Sequence, residues 1–435
     1  MLSAEDLLDE VSRADHGLPY QFCDAGLMLS SIRCRKAQKT LETVEQPPDP
    51  VFQQVDKELT RHQWFHGMMP RSDCEEMLKD EGDFLVRKTT VAKATTYCIS
   101  VRHGGETKHI PIAYDKGIWS LLEDSKPTLA ELIDLLVEQK KRIPPSNSVL
   151  IKSMARPDYF FLHEDITLGE RLGHRERPEL LDGAFGEVYA GKLKLKGGEE
   201  VDVAIKRSKA GHMKKAQLTA FVREARIMRR LGHPNIVRLY GVAAQEEPVM
   251  IILELATNGS LKAFYKKNED VSVNQKLGFA KDACRGMCYL SGAKVIHRDL
   301  AARNCLLGSK NEVKISDFGL SVMNKSEIRL NKLHKVPGVF TTKTDVWSFG
   351  VLMWEIFANC RSDPFPGVNN AQAIELITGK TPPMLPPEGS PDVLPNERAD
   401  FATVFRVLAP SEALPASVKL SVLALGDSKS AKEPT

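Results

Sequence analysis

Apolar and polar positions alternate in several short runs between residues 83 and 112. Asp83-Phe84-Leu85-Val86-Arg87, Tyr97-Cys98-Ile99-Ser100-Val101-Arg102 and Thr107-Lys108-His109-Ile110-Pro111-Ile112 each read as a strand, and His103-Gly104-Gly105-Glu106 as a turn between the last two. Helical spacing flanks these runs on both sides. Ser72-Asp73-Cys74-Glu75-Glu76-Met77-Leu78 opens with a capping residue and early acids, and Leu129, Leu132, Ile133 and Leu136 share one face of a second helix within 128–137. The pattern predicts a compact α+β unit over 60–151, entered at Trp64-Phe65-His66-Gly67.

A second unit is expected over 166–408, after a linker at 152–165. Ile166 to Gly173 and Val203-Ala204-Ile205-Lys206 read as strands, and a helix beginning at Phe221 runs on through Met228. Val249 to Leu255 is an apolar strand. Gln275 to Leu290 is a helix with Leu277, Ala280, Ala283 and Met287 on one face, and Asp345 to Phe357 reads as a buried helix. Residues 1–59 are weakly patterned and broken by Pro47-Pro48-Asp49-Pro50, so they read as a flexible arm, and 409–435 as a disordered tail.

Composition adds bounds. A chain of 435 residues has room for two or three domains, and 42% hydrophobic with 27% charged residues is an ordinary soluble balance. A net charge of +3 is too small to argue for nucleic acid or a membrane surface, and no apolar run reaches the length of a membrane span. The eight cysteines form no C-x-x-C pair and read as reduced thiols in a cytoplasmic chain. Leu2 excludes N-myristoylation, and the acidic start lacks a signal-peptide core.

The chemistry concentrates in His297-Arg298-Asp299-Leu300-Ala301-Ala302-Arg303-Asn304, which leaves the apolar pair Val295-Ile296, and in Asp317-Phe318-Gly319, which follows Val313-Lys314-Ile315-Ser316. Two acids and an amide at adjacent strand ends suit phosphoryl transfer. Asp299 would accept or orient the proton of an attacking hydroxyl, while Asn304 and Asp317 would hold Mg2+ against the phosphates. H-R-D-L-x-x-x-N followed by D-F-G resembles the catalytic loop and metal-binding turn of protein kinases, and Ala301-Ala302-Arg303 resembles the tyrosine-kinase form of that loop.

The resemblance implies a bilobal kinase domain that uses ATP and Mg2+. It implies Lys206, Glu224, Asp299, Arg303 and Asn304 as catalytic residues, with Lys206 on the α/β-phosphates and paired to Glu224. ATP would also meet Gly173, Gly183 and Gly186 of a Gly-rich hairpin, Val188, Ala204 and Glu254, with Leu253 guarding the inner pocket. The domain over 60–151 resembles SH2 through W-F-H-G, F-L-V-R and K-H-I. An Arg pointing inward from a strand calls for an anion, which phosphotyrosine supplies to Arg87. By the same resemblance Arg71, Lys88, Thr89, Thr90 and His109 complete that site.

SH2 directly before such a kinase domain resembles the Fes/Fer group of non-receptor tyrosine kinases. The segment ahead of residue 60 is read as lacking that group's F-BAR region. The implied partners are tyrosine-phosphorylated proteins and protein tyrosine substrates, with recruitment to the inner face of the plasma membrane through the former.

Two departures stand out. Nine residues, His174 to Asp182, separate Gly173 from Gly183, and Pro337 runs into Gly338 without the A-P-E segment expected there. That leaves Arg398 without the Glu it pairs with in the family. Two functions therefore remain open: a tyrosine kinase recruited by its SH2 domain, or a phosphotyrosine-binding adaptor with an impaired kinase lobe. The segment between Asp317 and Thr344 contains no tyrosine, leaving Ser321 and Ser326 as generic phosphorylation candidates.

Overall fold

The structure is a computed structural model that describes residues 50–91, 94–172, 187–208, 215–324, 328–330, 338–362, 364, 367, 372 and 398–415. It is an α+β chain in two compact units. One holds 50–225 with 239–253, and the other holds 226–238 with 254–415.

The first unit begins with helix α1 (Pro50–Leu59), within the stretch expected to be a flexible arm. The expectation fails from residue 50 onward, because Phe52, Val55, Asp56 and Leu59 recur at helical spacing and turn one face into the core. The Phe52 ring lies 6.0 Å from Tyr97 and 6.4 Å from Trp119. Asp56, also buried, accepts from Lys88 Nζ at 2.5 Å and from the Tyr97 hydroxyl at 2.6 Å. Residues 1–49 lie outside the described residues.

Helix α2 (Arg71–Met77) and helix α3 (Leu129–Glu138) flank a four-stranded sheet of order β3-β2-β1-β7. Its strands are β1 (Asp83–Val91), β2 (Ala94–His103), β3 (Glu106–Pro111) and β7 (Lys152–Ser153). A three-stranded sheet of β4 (Ala113–Asp115), β5 (Ile118–Leu121) and β6 (Asp124–Lys126) lies between β3 and α3 in the chain. Thr128 and Glu131 close a capping box on α3. Register is fixed by alternation: Arg87 sits opposite Cys98, and Ser100 opposite His109.

The stretch expected to be a linker is an ordered strap. Arg156 donates to the carbonyls of Thr60, His62 and Phe65 at 2.8 to 2.9 Å. Phe161 N donates to Val242 O at 2.9 Å, and Val242 N to Tyr159 O at 2.8 Å. Tyr159 is buried there, so its side chain is not presented for modification. Gly241 permits this approach, because a Cβ at that position would lie 2.2 Å from Tyr159 O.

The strap runs onto a five-stranded sheet of order β11-β12-β10-β9-β8. The strands are β8 (Ile166–Arg171), β9 (Glu187–Lys194), β10 (Glu200–Arg207), β11 (Leu239–Ala243) and β12 (Met250–Glu254). Phe161, Leu193, Val203, Ile205 and Ile252 form its core. Helix α4 (Lys215–Met228) follows β10 in the chain.

The other unit is built on α6 (Val273–Gly292), which is capped by Ser272 and preceded by α5 (Leu261–Lys267). Phe279, Ala280, Ala283, Met287 and Leu290 of α6 are buried. Two short antiparallel pairs flank the H-R-D and D-F-G motifs: β13 (Val295–Ile296) with β16 (Val322–Met323), and β14 (Cys305–Leu307) with β15 (Val313–Ile315). β17 (Ile328–Leu330) pairs with β18 (Gly338–Phe340), which leads into the buried α7 (Thr342–Phe357). The closing helix α8 (Phe401–Leu408) meets α7 through Phe401 and Phe349, 5.8 Å apart. The start of the stretch expected to be a disordered tail is held here, since Ala409 is buried and Glu412 pairs with Arg285.

Asp56→Ala is expected to destabilise the first unit by about 3–5 kcal/mol, because it strands Lys88 as a buried charge. Thermal unfolding checks this. Adding Lys88→Met to that variant should recover most of the loss, and no recovery would mean that the pair is not what Asp56 stabilises.

Candidate functional site

In the first unit the inward cation is Arg87 on β1, 3% exposed. Its Nε donates to Ser100 Oγ at 3.2 Å and its Nη1 to Met69 O at 3.4 Å. Ser100 Oγ also meets His109 Nδ1 at 2.9 Å. Burial, then the charges of Arg87 and Arg71, holds the His109 imidazole down at about 4, so the ring is neutral at physiological pH. Its Nε2 is buried with no hydrogen-bond partner among the described residues, and Glu75 at 3.9 Å is too distant to serve. A buried cation and a neutral imidazole with a spare nitrogen are groups that an incoming anion would satisfy.

Arg71 opens α2 close enough for its charge to act on His109 and Cys98. Thr89 is half-buried on β1, and the Thr90 side chain lies outside the described residues. Lys88 is elsewhere: as the next residue after Arg87 on a strand it faces the opposite side of the sheet, where Asp56 holds it. This corrects its expected place beside the phosphate. Ser100 was missed by the sequence reading. Its signal was available, because it lies two residues from Cys98 and so shares a face with the partner of Arg87.

On the five-stranded sheet Lys206 projects from β10 on the face opposite Val203 and Ile205. Its Nζ donates to both carboxylate oxygens of Glu224 on α4, at 2.7 and 2.8 Å. Glu224 is 2% exposed, so the pair is well screened from solvent. Val188 lies opposite Lys206 in the β9–β10 register, and Ala204 opposite Ala190. Leu253 begins the half-buried end of β12, after the buried Met250 to Ile252. Gly173, Gly183 and Gly186 lie outside the described residues. Glu254 has its amide bonded to Arg238 O at 2.9 Å and its carboxylate paired with Lys314 at 2.9 Å.

The other unit holds the H-R-D turn. Arg298 has φ +71° and Asp317 φ +62°, left-handed positions that cost non-glycine residues energy and must be held by their surroundings. Asp345 of α7, fully buried, accepts His297 N at 2.7 Å and Arg298 N at 2.9 Å. Burial pushes the Asp345 carboxyl up, and the charges and amides of the turn pull it back. His297 Nε2 bonds Ser316 O at 3.1 Å and its Nδ1 accepts Asp299 N at 3.3 Å, which places the ring proton on Nε2. Burial holds this imidazole below its usual range. Ser321 is buried and donates to His297 O at 3.1 Å, so it is not presented for phosphorylation. Ser326 lies outside the described residues.

Asp299 leaves this turn toward Asn304 and Arg303. Asn304 Nδ2 donates to Asp299 O at 2.7 Å and to Oδ2 at 3.0 Å, and Arg303 donates to Oδ1. Burial raises the Asp299 carboxyl to about 6; Arg303 opposes the shift and Asp317 adds to it. Asn304 spends its amide nitrogen on Asp299, and the Asp317 carboxylate lies near enough for its charge to act on Asp299. One hard oxygen donor from each fits a divalent ion that takes its remaining ligands from phosphates and water. Among the described residues no group of three or more His, Cys, Asp or Glu side chains holds an ion unaided. Arg398 is buried, with its Nη1 on Lys343 O at 3.4 Å and its carbonyl accepting from Lys343 Nζ.

Asp345→Asn is expected to destabilise the turn by about 1–3 kcal/mol, because a carboxamide has one acceptor oxygen for two buried amides. Amide hydrogen exchange checks this. Protection at His297 and Arg298 should fall, and protection equal to wild type would contradict it.

Residues 64–136 match the SH2 domain family, and residues 175–396 match the protein tyrosine and serine/threonine kinase family. The chain is 38% identical over 353 residues to Fer-related kinase 1 of Caenorhabditis elegans, covering 77% of this chain and 87% of that protein. It is 36% identical over 337 residues to tyrosine-protein kinase Fer of Rattus norvegicus, covering 74% of this chain and 39% of that protein. It is 35% identical over 362 residues to tyrosine-protein kinase transforming protein Fps of Fujinami sarcoma virus, covering 80% and 40%. The chain thus spans less than half the length of those Fer and Fps relatives. Protein kinases use ATP and a divalent metal, and SH2 domains take phosphotyrosine-containing partners. With an SH2 domain ahead of a kinase domain and these relatives across most of its length, the chain belongs to the Fer/Fes/Fps family of non-receptor protein-tyrosine kinases.

Proposed function

We propose that this chain transfers the γ-phosphoryl group of Mg-ATP to protein tyrosine and is brought to its substrates by SH2 binding to phosphotyrosine. The observation that carries this reading is the closed Lys206–Glu224 pair, the contact that phosphoryl transfer by a kinase requires. In the proposed roles Lys206 holds the α/β-phosphates, Glu224 fixes Lys206, and Val188 and Ala204 flank the nucleotide. The Glu254 carbonyl meets the base, and Asn304 and Asp317 hold the metal. Mg2+, when bound, neutralises charge on the phosphates.

Asp299 accepts the proton of the attacking phenol, with its carboxylate aimed by Asn304 and Arg303. Its raised position has a definite sign. Above about pH 6 Asp299 is ionised and able to accept; below it the carboxyl is protonated and the base is lost. The same shift means that the ionised form weighs against the fold near neutrality and that this penalty fades as pH falls. In the SH2 domain Arg87 grips the phosphate, Ser100 aligns Arg87 with His109, and Arg71 adds a second positive charge.

Phosphotransfer from Mg-ATP to a tyrosine polymer tests the catalytic part. Wild type should show transfer, and Lys206→Met should lower it by two orders of magnitude or more, about 3 kcal/mol of barrier. Equal rates in the two proteins would refute the assignment. The wild-type rate should also fall about tenfold per pH unit below 6, and a flat profile down to pH 5 would mean that Asp299 is not the base. Phosphopeptide titration tests the docking part. Arg87→Ala should abolish binding, and Ser100→Ala should weaken it several-fold, while both leave nucleotide binding unchanged.

A further inference from the structure

Helix α7 carries two acids inside the fold. Asp345 lies in its first turn and takes the amides of His297 and Arg298. Glu355 follows ten residues later, about 15 Å along the helix axis. It stands in the apolar run Leu352-Met353-Trp354-Glu355-Ile356 and is 6% exposed. A carboxylate costs energy in such a place unless donors meet it. One donor is the Ala302 amide, 2.8 Å from Glu355 Oε2. The Ala302 carbonyl is held as well, accepting from Lys262 N at 3.2 Å at the start of α5, and Ala302 itself is fully buried. Asp345 and Glu355 thus fasten the H-R-D loop at both ends, one where it leaves β13 and the other where it enters β14.

The residues that follow Ala302 are the ones that aim Asp299. Arg303 and Asn304 come next in the chain and donate to Asp299 Oδ1 and Oδ2. Asn304 N closes back on Ala301 O at 2.9 Å, so the amide taken by Glu355 lies inside the turn that directs both donors. We propose that Glu355 is a positioning residue for phosphoryl transfer: by holding the Ala302 amide it sets where Arg303 and Asn304 stand, and through them the direction of the Asp299 carboxylate. This role rests on the phosphotransfer reading above. Glu355 acts only through the backbone of the loop, so its loss slows the step without weakening the hold on the nucleotide. A neutral amide side chain can replace the bond in kind, though without its charge. An apolar side chain leaves Ala302 N buried and unpaired.

The test compares the full chain with Glu355→Leu, which removes the acceptor, and with Glu355→Gln, which keeps one acceptor oxygen. With Mg-ATP and a tyrosine polymer, Glu355→Leu should lower kcat by about ten- to a hundredfold, the scale of a displaced catalytic group. Its affinity for ADP, measured without metal, should equal that of wild type, and Glu355→Gln should recover most of kcat. Amide exchange at Ala302 and Arg303 should speed in Glu355→Leu and stay near wild type in Glu355→Gln. Wild-type kcat or wild-type protection of Ala302 in Glu355→Leu would overturn the proposal. So would a joint loss of kcat and ADP affinity that Glu355→Gln does not recover, because that is the mark of a merely structural residue. Glu355→Asp draws the acceptor back by one methylene and should fall between the other two variants. If Glu355→Leu does not fold, wild-type kcat with wild-type protection of Ala302 in Glu355→Asp overturns the proposal. A wild-type chain without transfer would refute the phosphotransfer reading instead. The exchange comparison needs no turnover and would still decide whether Glu355 holds the loop.

Discussion

The catalytic turn depends on one buried carboxylate. Asp345 gives both oxygens to successive backbone amides, His297 N and Arg298 N, and so holds Arg298 at φ +71°, a conformation the chain would not keep alone. Much else is aligned from that contact. Once His297 is fixed, its ring bridges Asp299 N and Ser316 O, tying the loop that carries Asp299 to the strand end that carries Asp317. The charges of Asp299 and Asp317 then act on each other, and the Asp299 carboxyl rises to about 6 through burial first and that proximity in part.

The SH2 domain uses the two faces of one strand for different ends. Arg87 and Lys88 are adjacent cations on β1, and alternation sends them apart. Arg87 enters a polar cluster with Ser100, His109 and Met69 O, where an anion completes the arrangement. Lys88 is neutralised at once by Asp56 of α1, and Tyr97 takes the other oxygen of that acid. The upstream helix is therefore part of the domain, and its anchor lies one residue from Arg87. The strap behind it is ordered for a related reason: Arg156 satisfies three carbonyls, and Gly241 lets backbone approach backbone.

Much of the fold was legible because its signals are local. Alternation named β1 to β3, the spacing of Leu129, Leu132, Ile133 and Leu136 marked α3, and the H-R-D and D-F-G motifs stand next to the short strands expected there. Helix α1 was misjudged because the proline-rich approach outweighed the spacing of Phe52, Val55 and Leu59. The strap was misjudged because a stretch with little periodicity of its own is ordered by what it lies against. Lys88 was misplaced because a resemblance names a stretch of residues, whereas the face of a strand decides which of them share a site.

The sequence by itself determined the residue types that phosphotransfer and phosphate recognition require, their order, the family, and the absence of a loop tyrosine. Only the tertiary structure decided which charges meet. Lys206 and Glu224, Asp56 and Lys88, Asp345 and the Arg298 turn, and Phe340 and the Arg298 guanidinium are pairs separated along the chain by 18, 32, 47 and 42 residues. No local propensity encodes such pairings. They form because burying a charge or an amide without a partner is costly, and the packed core admits few arrangements that provide one for each.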